Sequence, residues 1–162
     1  MATELEPGAF TVTFARLRDS GIRNAGKGLT ALAYVVEKQA KINVSTGSHR
    51  YGTPTPASPG RGPAVVSGNL RRSITHDRVA RTATGWETRV GPAAGFYPPY
   101  PRRSSSGGAP RRTSADLYGK YLETGLRNGA TYPWLKPAAE FASRTAEPVI
   151  AAAIASGLWA SG

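Results

Sequence analysis

The side chains able to do acid–base or metal chemistry are few in this 162-residue sequence: two histidines, His49 and His76, ten carboxylates and no cysteine. Without cysteine there is no thiolate metal site, no thiol nucleophile and no disulfide framework. The carboxylates are Glu4, Glu6, Asp19, Glu37, Asp77, Glu87, Asp116, Glu123, Glu140 and Glu147. They are scattered, and no spacing among them suggests a paired general acid and base. His49 falls in a Gly/Pro-rich stretch and His76 in an expected strand, so neither joins a ligand cluster with metal spacing. Gly60-Arg61-Gly62 and the glycines from Gly85 to Gly91 lack the strand–glycine–helix setting and the lysine of a phosphate cradle, and there is no serine nucleophile elbow. The expectation is a non-enzymatic chain without metal or cofactor.

Charge is the more informative signal. The formal net charge is +11, and the segment from Arg50 to Arg112 holds eleven arginines, no lysine and only Asp77 and Glu87 in opposition, which makes nine of those eleven charges. Such a density suits phosphates, an anionic surface or an acidic protein. Tyr97 and Tyr100 beside Arg102 and Arg103 have the look of a stacking and charge patch for single strands. The candidate contact residues are therefore Arg50, Tyr51, Arg61, Tyr97, Tyr100, Arg102, Arg103, Arg111 and Arg112. The alternative is that these arginine-rich loops dock onto acidic neighbouring subunits or stay solvated. No helix carries basic and amide side chains along one face, as a sequence-reading helix would.

The elements that must position these residues follow from hydrophobic periodicity. Phe10, Val12 and Phe14 alternate with threonines and predict a strand. Ile22, Ala25, Leu29, Leu32, Ala33, Val36 and Ala40 predict an amphipathic helix over 19–41, capped by Asp19 or Ser20. Its Gly21, Gly26 and Gly28 weaken the first turns by about 1 kcal/mol each, unless they let another backbone come close. Strands are expected over 70–79 and 84–91, joined by a polar turn near 80–83, with Trp86, Thr88 and Val90 on one face. Ala115, Tyr118 and Leu122 predict a short helix that Gly125 ends with a positive φ. A last helix is expected from about Pro137, with Pro133 and Pro137 in or before its opening turn, Pro148 kinking it, and Ala138, Phe141, Thr145, Val149 and Ala152 on one face. The stretches at about 45–66 and 92–114 are rich in Gly, Pro and Ser, and read as two long irregular loops. The expected fold is α+β: a small antiparallel sheet packed against a long N-terminal helix, with a C-terminal helix and the two loops, in one domain over 1–162. Met1 to Gly8 lacks a secretory leader's basic start and apolar run, and the run from Val149 to Ala160 is too short to span a bilayer. These point to a cytoplasmic origin and no membrane span.

Four blocks, in order, resemble the signature of the tail-completion or minor tail family of long-tailed bacteriophages. They are Ser67-Gly68-Asn69-Leu70-Arg71-Arg72-Ser73-Ile74, then Val90-Gly91-Pro92, then Tyr118 to Gly125 with Leu122-Glu123-Thr124-Gly125, then Pro133-Trp134-Leu135-Lys136-Pro137-Ala138. The resemblance implies a virion protein of the phage neck, assembled in the host cytoplasm, that forms a homo-oligomeric ring, hexameric or higher. It implies contacts with other neck proteins (adaptor, stopper, tail terminator or tail tube) and with genomic DNA passing through the lumen without sequence preference. Relatives join the first helix to the Ser-Gly block by a few residues, whereas residues 44–66 intervene here and 95–114 is also expanded. The alternative is a basic, non-enzymatic nucleic-acid-binding module.

Overall fold

The computed structural model describes residues 12–13, 25–50, 53–83, 85–97 and 114–159. The elements run β1 (Val12–Thr13), α1 (Ala25–Asn43), α2 (Asn69–Ser73), β2 (Ile74–His76), β3 (Ala80–Thr82), β4 (Gly85–Glu87), β5 (Arg89–Pro92), α3 (Ala115–Thr124) and α4 (Leu135–Trp159). The architecture is α+β as expected: α1 packs on a small antiparallel β region and on α4. The expected start of α1 at Asp19, its cap, and most of the strand from Phe10 to Phe14 lie outside the described residues.

In the three-stranded sheet β5 is central, antiparallel to β1 on one side and β2 on the other, with Val12 opposite Val90 and His76 opposite Val90. A second ladder pairs β3 with β4, Arg81 opposite Trp86. Between the two ladders three residues, 77–79, face two, 88–89, and that unequal count is a bulge. Thr88 sits at the break, buried, its Oγ1 donating to the Asp77 carbonyl at 2.7 Å.

Three expectations need correction. The strand over 70–79 begins as a helical turn: Leu70, Ser73 and Ile74 are buried while Arg72 is exposed, the i, i+3, i+4 spacing of a helix, and the strand starts at Ile74. Gly68, at φ 73°, makes the entry turn, and its carbonyl accepts the Arg72 N–H. The polar turn near 80–83 is largely strand β3, paired with β4. On α4 Ala138 and Val149 face inward as expected, but the stripe is Leu135, Ala138 and Ala142 continued by Ala146, Val149 and Ile150, and Phe141 is 42% exposed. The stripe is offset because small residues bring α1 close: Ile150 lies so near Gly28 that a Cβ there would be 2.8 Å from its Cγ2.

The core is one cluster in which α1 supplies Leu29, Leu32, Ala33, Val36 and Ala40, the sheet Ile74 and Val90, α3 Leu122, and α4 Leu135, Ala138 and Ala142. Trp134, fully buried, closes it at the end where α3 hands over to α4. Among the described residues no helix is long and apolar enough to cross a membrane.

Candidate functional site

The four sequence blocks converge on Trp134. Its indole Nε1 donates to the Gly119 carbonyl at 3.1 Å. A Cβ on Gly119 would lie 3.0 Å from Leu70 Cδ1, 3.1 Å from Trp134 Cζ2 and 3.4 Å from Pro92 Cγ, so glycine lets α3, α2, β5 and the indole meet without displacing these side chains. Glu123, on the last turn of α3, caps α4 from outside that helix. One carboxylate oxygen accepts the Trp134 and Leu135 N–H groups at 2.8 and 3.0 Å, and the other accepts Lys136 N–H at 2.9 Å. These are donors a helix N-terminus leaves unsatisfied, and a negative group there also complements the helix dipole. The Trp134 carbonyl in turn accepts from Asn43 Nδ2 at 2.8 Å, tying the end of α1 to the same point.

The remaining motif residues support this clasp. Ser73 is buried, its Oγ donating to the Leu70 carbonyl, while its own carbonyl accepts the Ala93 N–H. Gly125 takes the expected positive φ of 131°, and its N–H returns to the Tyr121 carbonyl. Pro133 precedes α4 and Pro137 falls in its opening turn, where a missing N–H breaks no helical bond. Tyr118 packs at the edge of the core, whereas Arg71, Ser67 and Tyr121 face outward. The blocks thus build the body. They converge in space without forming a reactive cluster, and among the described residues no three of His, Asp and Glu gather where a metal could sit.

The contact candidates divide differently. Tyr51, Tyr100, Arg102, Arg103, Arg111 and Arg112 lie outside the described residues. Arg50, Arg61 and Tyr97 are exposed, and so are the framework arginines Arg71, Arg72, Arg78, Arg81 and Arg89. Only Arg72, bonded to Asn69 and the Ser67 carbonyl, and Arg89, 3.5 Å from Glu87, have partners among the described residues. Four of these framework arginines, Arg71, Arg72, Arg81 and Arg89, therefore ride on a helix and two ladders rather than on loops, and Arg78 sits in the bulge between the ladders.

The first loop is irregular, yet it is tied to its own body. His49 N–H reaches the Val65 carbonyl, Val65 N–H the Gly47 carbonyl, Thr46 Oγ1 the Gly62 carbonyl, and Gly60 N–H the Thr131 carbonyl. A Cβ on Gly62 would fall 2.0 Å from the Asn43 carbonyl oxygen, so the stem of this loop presses directly on the end of α1. This stem takes its order from the body itself; residues 53–56 and 58–61 form its exposed part.

A polar network on the outer face of α1 has no counterpart in the sequence reading. Glu37 accepts from Lys41 one turn on, and its second oxygen is 2.6 Å from His76 Nδ1 on β2. Burial pushes the Glu37 carboxyl upward, but hydrogen bonds and charge from Lys41 and His76 outweigh it and hold the group below its ordinary value. The His76 ring meets Tyr34 edge-on at 4.4 Å. Beside this network lies an open groove of about 450 Å³, lined in part by Tyr34, Lys38, Lys41, Ile42 and Arg71. The sequence signal was Tyr34 and Ile42, two apolar residues that fall off the buried stripe of an amphipathic helix.

Against known proteins, the chain matches no family model, no curated protein and no solved structure.

Proposed function

We propose that the chain is a structural, non-enzymatic subunit of a phage neck, a head–tail connector or tail-completion protein that works as a homo-oligomeric ring, hexameric or higher. Its neighbours are other neck proteins, and DNA passes through its lumen without sequence-specific contact. One observation carries this reading: Glu123, Gly119 and Trp134 of the four blocks are spent on closing the body, while the arginines on α2 and the two ladders stay exposed, Arg71 and Arg81 with no partner among the described residues. An enzyme of this size concentrates its polar groups in a cleft. A subunit that must be gripped on several sides distributes them over a rigid exterior, as here.

In a ring the exposed arginines on the inner wall meet phosphates, and those on the outer wall meet acidic patches of adjoining components. The experiment is native mass spectrometry and electron microscopy of the full chain, alone and mixed with the products of the genes flanking its own. A closed ring of defined copy number supports the reading, and a persistent monomer in the mixture contradicts it. The alternative, a basic nucleic-acid-binding module, predicts tight binding of the isolated chain to a preferred sequence, measured against salt.

A further inference from the structure

We propose that the groove on the outer face of α1 binds an acidic peptide segment of a partner protein, with an apolar side chain seated between Tyr34 and Ile42 and carboxylates on Lys38 and Arg71. The inference goes beyond the ring reading and stands whether or not the chain forms a ring.

Tyr34 is 59% and Ile42 52% exposed, the two most exposed large apolar side chains described. Eight residues apart on one helix, they stand about 12 Å from each other at 1.5 Å per residue, a span suited to a short peptide. The volume of about 450 Å³ lies within the range of about 300–1,000 Å³ that binding sites occupy. Tyr34 does not swing freely, because its ring rests edge-on against His76, and Glu37 fixes His76. A preset aromatic loses less freedom on binding than a mobile one.

The free charges of the groove are cationic. Glu37 is engaged by Lys41 and His76, whereas Lys38 and Arg71, both exposed, make no hydrogen bond or ion pair among the described residues. That balance selects the occupant. A nucleic acid brings phosphates for the cations but no aliphatic side chain for Ile42. A second copy of the chain does not fit groove to groove, because Lys38 and Arg71 would meet the same cations across the contact. An acidic segment with one or two large apolar residues satisfies both the cations and the exposed apolar floor.

The test is selection of a displayed library of random 12-residue peptides on the immobilised full chain, followed by affinity measurement of the enriched peptides by fluorescence anisotropy. The proposal expects enriched peptides with net negative charge and at least one large apolar residue. Their affinity should fall at least tenfold for Ile42→Ser and for Arg71→Glu, and less for Lys38→Glu. All three side chains are exposed, so circular dichroism should show the variants folded. A 20-base-pair duplex, titrated in parallel, should bind Ile42→Ser as it binds the wild type. The proposal is overturned if no acidic, apolar peptides are enriched, or if their binding survives Ile42→Ser and Arg71→Glu. It is equally overturned if duplex binding depends on Ile42 as strongly as peptide binding does, which would give the groove to nucleic acid.

Discussion

Two glutamates set two aromatic side chains in this molecule, with opposite results. Glu123 gathers three backbone N–H groups at the start of α4 and locks Trp134 at 0% exposure beneath Gly119. Glu37 gathers Lys41 and His76 on the outside of α1 and steadies Tyr34 at 59% exposure. The first arrangement completes the fold. The second adds little to it and holds a surface in shape, because a partly exposed ion pair contributes at most about 1 kcal/mol. The same side-chain chemistry therefore serves packing at one end of the body and presentation on its flank.

The contrast breaks most visibly at Trp134. Trp134→Ala leaves a cavity where four elements meet and should cost about 3–5 kcal/mol, read as a lowered midpoint in urea denaturation. Glu123→Ala leaves three helix-start donors without their carboxylate and should cost about 2 kcal/mol, with Glu123→Gln recovering part of the loss by keeping one acceptor. Gly28→Ala comes next. Overpacking against Ile150 costs about 1–3 kcal/mol, against roughly 1 kcal/mol gained in helix propensity, so a thermal melt should show a small net loss.

On the other flank the effects shrink. The Glu37 carboxyl is depressed in the folded chain, so its contribution to stability is complete above the unfolded value of 4.5 and is lost as pH falls through the lower folded value. Urea titrations across that acid window should show a slope that Glu37→Gln removes. Tyr34→Ser and Arg71→Glu should each change stability by no more than about 0.5 kcal/mol. A loss of several kcal/mol from either would mean that the outer face of α1 belongs to the body after all.

Much of the body was legible in advance, and the reasons are local. The buried stripe of α1, the Gly125 stop of α3 and the proline-marked entry of α4 each follow from a 3.6-residue period or a backbone restriction within a few residues. What escaped depends on distance in the chain. Nothing near Glu123 says that it caps a helix that begins twelve residues later, and nothing near His76 says that it meets a carboxylate thirty-nine residues earlier. The turn of helix at Asn69–Ser73 was hidden because Leu70, Arg72, Ile74 and His76 also fit a two-residue period, and only the burial of Ser73 with the exposure of Arg72 decides between the two. The bulge at 77–79 was hidden for a related reason, since an unequal residue count appears only once the partner strand is in register.

The central claim, that the body stands by itself and the arginine exterior exists for assembly, is tested most directly by one paired measurement. Arg50, Arg61, Arg71, Arg78 and Arg81 are exchanged together for serine, and the melting temperature and the native mass spectrum with the flanking gene products are recorded on the same sample. The account predicts a melting temperature within a few degrees of the wild type and loss of the ring. A ring that survives the exchange, or a body that unfolds because of it, would contradict the account.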